Sequence, residues 1–221
     1  MKQLNGYIDH TLLKPEATQT DVDHVVQEAI DNHFYSVMIN PYWVAYVHDK
    51  LANTPVKTAT VIGFPLGANT TSTKVTEAKE AIENGANEVD MVMNIGEFKG
   101  GHYQAVQKDV QAVVTAAHNK SALIKVIIEN ALLTNDEIAK AADIVANTGA
   151  DFVKTSTGFS TSGAKVADVA IMKKVVGDRI KVKAAGGIHS AQEAEEMIQA
   201  GASRLGTSAS LKIIGKGKLQ V

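Results

Sequence analysis

Short apolar runs alternate with stretches of helical periodicity along the whole chain, and this alternation predicts eight successive βα units. Strands are expected at 8–12 (IDHTL), 36–40 (SVMIN), 58–64 (TATVIGF), 88–94 (EVDMVMN), 123–129 (LIKVIIE), 152–157 (FVKTST), 181–186 (KVKAAG) and 204–208 (RLGTS). Amphipathic segments at 74–84, 103–117, 136–147 and 190–200 are among those that separate them. Repeated βα units imply a parallel sheet covered by helices. Eight of them favour an α/β fold closed as a (β/α)8 TIM barrel, with residues 1–221 as one domain. A doubly wound open sheet is the alternative. It ordinarily brings a glycine-rich dinucleotide fingerprint after its first strand, and IDHTLLKPE holds no glycine.

An internal echo sharpens this reading. Gly85-Ala-Asn-Glu-Val-Asp90, Gly149-Ala-Asp-Phe-Val-Lys154 and Gly201-Ala-Ser-Arg-Leu-Gly206 share a glycine, an alanine, two variable residues, an apolar residue and a special sixth position. The glycine ends a helix in a left-handed turn, and the next strand starts almost at once. The three segments fall on strands four, six and eight. Alternate barrel strands contribute side chains to one interior layer, so Asp90, Lys154 and Gly206 should lie at about the same height. A common loop solution explains the glycines; it does not explain the charges.

Side chains alternate along a strand, which places Val89, Met91, Val153, Val182 and Ala184 on the face opposite to Asp90, Lys154 and Lys183. The apolar set belongs against the helices, so the charged set points into the barrel. A structural ion pair would satisfy one lysine with Asp90 and leave the other, at a cost that normally excludes unpaired buried charge. Lys125 shares its parity with Glu129 and is a further candidate for the network. Two neighbouring ammonium groups and desolvation both lower a lysine pKa. An amine that is neutral near pH 7 attacks carbonyls and forms an iminium ion, the electron sink for making or breaking a carbon–carbon bond. One nucleophilic lysine, a second to depress its pKa and a carboxylate to move protons form a working set.

Composition narrows the function classes. A net charge of −2 gives no reason to expect nucleic acid or an anionic membrane as partner. No apolar run approaches the roughly 18 residues of a membrane span. MKQLNGYIDH lacks a signal-peptide core, so a cytoplasmic location is expected. The absence of cysteine excludes disulfides and thiolate chemistry. None of the seven histidines has zinc-site spacing on a helix face, so no metal is expected. His10 is expected to orient Asp9 near the barrel mouth, His189 to start a helix, and Trp43 and Tyr46 to pack one turn apart.

The segment FVKTSTGFSTSGA (152–164) resembles the Schiff-base strand of the deoxyribose-phosphate aldolases, a class I aldolase family. The resemblance covers nearly the whole chain through IDHTLLKP (8–15), NPYWV (40–44), VIGFPLGA (61–68), EVDMVMNIG (88–96), KVIIE (125–129), VKAAGGI (182–188) and RLGTS (204–208). It implies reversible cleavage of 2-deoxy-D-ribose 5-phosphate to D-glyceraldehyde 3-phosphate and acetaldehyde, without metal or organic cofactor. It assigns the Schiff base to Lys154, the perturbation of its pKa to Lys183 and proton handling to Asp90. Asp9 joins a proton relay, and the Thr157 hydroxyl contacts substrate. The partners are a small phosphorylated sugar and acetaldehyde, and a homodimer is left open.

Loops after strands seven and eight, with a short helix start, form the usual barrel phosphate site. Gly186, Gly187, Gly206 and Ser208 occupy those places, and Gly158 after strand six adds another N–H. Tight turns alone would also account for such glycines. Three positions depart from the family pattern: Met38 stands where many members have cysteine, and Asn130 and Ala209 replace a threonine and a serine. The chain closes at Val221 without the tyrosine that some members fold over the site. A sugar-phosphate isomerase or epimerase would leave two interior lysines unexplained. A non-catalytic binding protein on the same fold would be expected to have lost the charged positions.

Overall fold

The computed structural model describes residues 4–216; the chain end at Val221 lies outside them. Eight parallel strands pair each with its sequence neighbour, and the last pairs with the first, closing a barrel. They are β1 Ile8–Leu12, β2 Ser36–Ile39, β3 Lys57–Ile62, β4 Glu88–Val92, β5 Leu123–Ile127, β6 Phe152–Lys154, β7 Lys181–Ala185 and β8 Arg204–Thr207. The helices are α1 Gln19–Asp31, α2 Val44–Leu51, α3 Thr71–Glu83, α4 Ile95–Lys99, α5 Tyr103–His118, α6 Asn135–Ala146, α7 Val166–Val176, α8 Ala191–Gln199 and α9 Ser210–Ile213. This is a (β/α)8 barrel, with two helices between β4 and β5.

Local chemistry sets the ends of these elements. Thr18 and Thr134 start α1 and α6 with reciprocal capping boxes to Asp21 and Glu137. Thr70 caps α3, which therefore begins three residues before the periodic run at 74–84. The three echo glycines, Gly85, Gly149 and Gly201, take φ of +102°, +83° and +114° at the helix-to-strand turns. Every strand but β1 stops short of the apolar run that predicts it, and β6 does so most. The Thr155 hydroxyl there donates to the Ala185 carbonyl and accepts from its N–H, replacing a backbone rung and ending the ladder.

The register pairs Asp90 with Lys125, Lys154 with Lys183, Lys183 with Arg204 and Asp9 with Gly206. Because the strands are staggered, alternate strands fill layers of four. From the strand N-termini upward these are Ser36, Glu88, Phe152 and Arg204; then Asp9, Ala59, Lys125 and Lys183; then Met38, Asp90, Lys154 and Gly206. The level shared by Asp90, Lys154 and Gly206 matches the echo argument. Outside the barrel, Val89, Met91, Val153, Val182 and Ala184 join the core under the helices. Burying that face is the main favourable contribution to folding, at about 25 cal/mol per Å² of apolar surface.

His10 corrects one expectation. It alternates with Asp9 and so faces the helices, where its ring meets Ser210 Oγ and Glu28 Oε2, each at 2.7 Å. It therefore does not orient Asp9. Trp43 and Tyr46 pack with ring centroids 5.9 Å apart, as expected. No helix among the described residues is long and apolar enough to cross a membrane.

Candidate active site

Seven charged side chains share the barrel interior, and each is held by a strand residue of inward parity. Lys154 Nζ donates to Asp90 Oδ2 at 2.8 Å, and Lys183 Nζ reaches the same oxygen at 2.8 Å. Lys183 also donates to Asp9 Oδ2, whose other oxygen accepts from Ser36 Oγ (2.7 Å) and Arg204 (2.9 Å). Lys125 bridges Asp90 Oδ1 (2.8 Å) and Glu88 Oε2 (2.5 Å). Arg204 closes the circuit to Glu88 at 3.1 Å. The structure thus brings together Asp9, Asp90, Lys154 and Lys183, and Lys125 joins them.

Three carboxylates face four basic groups, so the interior is neutral only when one base has given up its proton. That base is Lys154. Burial foremost holds its amine down to about 8, with Lys183 and Lys125 adding repulsion against the pull of Asp90. Lys125 goes the other way: burial lowers it, but Asp90 and Glu88 together raise it above the ordinary lysine value. Burial would lift the carboxyl groups of Asp9 and Asp90. The cations around them overcome this, and both sit below the ordinary carboxylate value.

Depressed carboxylates stabilise the fold above their unfolded value of 3.8 and cease to do so as pH falls toward their lower folded values. Acidification from about pH 5 to pH 2 should therefore lower the melting temperature steadily. A melting temperature that stays flat over that range would contradict the pairing.

Above this network the barrel mouth opens into a cavity of about 390 Å³. Lys154, Thr157, Gly158, Gly186, Gly187, Gly206 and Ser208 all line it. Lys154 reaches it from below, whereas Lys125 and Lys183 are fully buried. Thr157 is less free than its predicted contact implies: its hydroxyl donates to Glu129 Oε2 (2.5 Å) and accepts from the Phe159 N–H (3.0 Å). Gly163 packs against the β7 loop so closely that a Cβ there would lie 2.2 Å from the Gly186 carbonyl. Leu13, Met38, Ala59 and Val61 with Phe64 form a separate apolar cluster beside the charged network. Among the described residues no group of three or more His, Cys, Asp or Glu is arranged to hold a metal ion.

This arrangement, an accessible weakly basic amine over a buried carboxylate, suits carbonyl addition and proton transfer. Comparison with known proteins agrees: residues 5–216 match the model of the DeoC/LacD family aldolases. The chain belongs to the DeoC/LacD aldolase family. Deoxyribose-phosphate aldolase of Lactiplantibacillus plantarum is 64% identical over 97% of this chain and all of that protein. The enzyme of that name from Enterococcus faecalis is 57% identical over 96% of each. Among solved structures, the deoxyribose phosphate aldolase of Aeropyrum pernix, described as a unique tetramer, superposes with a TM-score of 0.91 at 35% identity. It spans 99% of this chain and 92% of that one.

As an aldolase the protein is a carbon–carbon lyase, and several of its interior residues escape the motif reading. Glu88 and Arg204 sit at strand starts, where charge ordinarily meets solvent. Strand parity alone would have found them. Glu129 does not join Lys125: its backbone takes φ +54°, and its carboxylate turns to the Thr157 N–H and hydroxyl. Asn130 donates to Asp168 at 3.2 Å, away from the interior. Met38 lies in the same interior layer as Asp90, Lys154 and Gly206.

Proposed function

We propose that this aldolase reversibly cleaves 2-deoxy-D-ribose 5-phosphate to D-glyceraldehyde 3-phosphate and acetaldehyde through a Schiff base on Lys154. One observation carries the reading. Of the three interior lysines, Lys154 alone lines the cavity, and its amine is the one held down to about 8. The names of the relatives supply the substrate.

The free amine attacks C1 of the open-chain sugar, and the carbinolamine loses water to give an iminium ion. The C3 hydroxyl then gives up its proton, the C2–C3 bond breaks into the iminium, and glyceraldehyde 3-phosphate leaves an enamine behind. Protonation of the enamine carbon and hydrolysis release acetaldehyde and restore the amine. Asp90 Oδ2, bonded to both amines at 2.8 Å, links Lys154 to Lys183, and Lys183 links onward to Asp9. These contacts form the proposed proton path. Backbone N–H groups of the Gly158, Gly186–Gly187 and Gly206–Ser208 segments take the phosphate, and Thr157 takes a sugar hydroxyl.

Incubation with 2-deoxy-D-ribose 5-phosphate, followed by NMR, should yield both aldehydes in equal amounts. The unphosphorylated sugar should react at least about 100-fold more slowly, as remote binding contributes to turnover. An isomerised or epimerised sugar phosphate without acetaldehyde would overturn the proposal.

Gly206 shares the layer of the nucleophile, and a Cβ on it would stand 3.1 Å from Lys183 Cε and 3.0 Å from Ala185 Cβ. Gly206→Ala should therefore displace the Lys183 amine and lower kcat by about 10- to 100-fold, since small misplacements cost rate steeply. Steady-state kinetics would check this, and an unchanged kcat would show that Lys183 has room to spare.

A further inference from the structure

The lowest interior layer has no access to the cavity, yet it carries Glu88 and Arg204, both buried. The two side chains meet at 3.1 Å. Arg204 stacks on Tyr35 with its guanidinium carbon 3.3 Å from the ring centroid, and it also bonds Asp9 at 2.9 Å. Glu88 holds Lys125 at 2.5 Å through Oε2, while its Oε1 is buried without a hydrogen-bond partner. Phe152 belongs to the same layer, with the Arg204 guanidinium 5.4 Å and the Lys181 amine 5.6 Å from its ring centroid. A buried ion pair with one bare oxygen is a poor source of stability, because well-packed apolar residues commonly do as well or better.

We infer that Glu88 and Arg204 are positioning residues for the aldolase reaction, setting through Lys125 and Asp9 how strongly the carboxylates above hold the amine at 154. Glu88 occupies one side of Lys125, whose other carboxylate contacts are Asp90 Oδ1 at 2.8 Å and Asp9 Oδ2 at 4.0 Å. Arg204 occupies the Asp9 oxygen that Lys183 leaves, and Lys183 then shares Asp90 with Lys154. The charged groups around Lys154 are Asp90 on β4, Lys125 on β5, Lys183 on β7 and Asp9 on β1. Lys14 and His189 line the rim of the same cavity.

The two residues act with opposite sign. Removing the Glu88 charge makes the interior more positive, so the amine releases its proton at lower pH. Removing the Arg204 charge makes it more negative, so the amine keeps its proton to higher pH. The proposal rests on Lys154 being the Schiff-base lysine.

The test is the pH dependence of borohydride trapping with acetaldehyde, read by mass spectrometry on the intact chain and by mapping the labelled peptide. The midpoint should move acid by about one pH unit in Glu88→Gln and alkaline by a similar amount in Arg204→Gln. The double variant should return close to the parent midpoint, and Arg204→Lys should stay nearer the parent than Arg204→Gln. Adduct on Lys154 with equal midpoints in all variants, or shifts of the same sign in both single variants, would overturn the inference while leaving the Schiff base intact. No adduct in the unsubstituted protein would instead remove the underlying reading. Where a single variant does not fold, the double variant and Arg204→Lys decide, since charge compensation predicts near-parent midpoints and displaced ones refute it.

Discussion

Lys154→Ala is expected to lower cleavage of 2-deoxy-D-ribose 5-phosphate by on the order of 10⁴-fold or more, with the barrel still folded. Neither of the other two interior lysines can take over. Lys125 and Lys183 are fully buried outside the cavity lining, and Lys125 is held protonated by Asp90 and Glu88. The fold should tolerate the loss because the remaining interior balances three carboxylates against three cations. A folded-state value near 8, against 10.5 for an ordinary lysine, means that below about 8 the folded protein holds a charged amine it disfavours. Stability linked to this group rises with pH between those values, so at neutral pH its removal relieves an electrostatic cost. Circular dichroism and a thermal melt should match the parent closely. Substantial remaining turnover, or an unfolded chain, would contradict the assignment.

Lys183→Leu is expected to combine a lower rate with a displaced pH profile. The parent needs a free amine, so its activity should climb as pH rises through about 8. Without the Lys183 charge, Asp90 Oδ2 has one cation instead of two, and it grips the Lys154 ammonium more strongly. The acid limb should therefore shift upward by about one pH unit. That shift alone costs about tenfold in rate at pH 7. Loss of the link to Asp9 adds a further loss, about 10²-fold for a proton-transfer partner. A profile of kcat/KM against pH separates the two effects. An unmoved acid limb would remove Lys183 from its role in setting the amine.

Much of this was legible from alternation along single strands. Valines flanking Asp90, Lys154 and Lys183 leave those three only the interior, and the Gly-Ala echo puts two of them at one height. The same logic applied to Arg204, at the fourth position of its echo, would have placed it inside as well. Its place at the foot of a strand hid it. His10 shows the converse error, since adjacency to Asp9 in sequence means the opposite face in a strand. Other features had no signal. Nothing in KVIIE announces that Glu129 adopts a left-handed backbone and caps the Thr157 turn. The early end of β6 likewise depends on a Thr155 hydroxyl standing in for a backbone rung, a choice that only the packed neighbour strand decides.

Reductive trapping tests the central claim most directly. Treated with acetaldehyde and borohydride at about pH 8, close to the value of the amine, the protein should gain a single N-ethyl group. Peptide mapping should find it on Lys154. Label on Lys183 or Lys125, or an unmodified chain from a preparation that is cleaving substrate, would contradict the account.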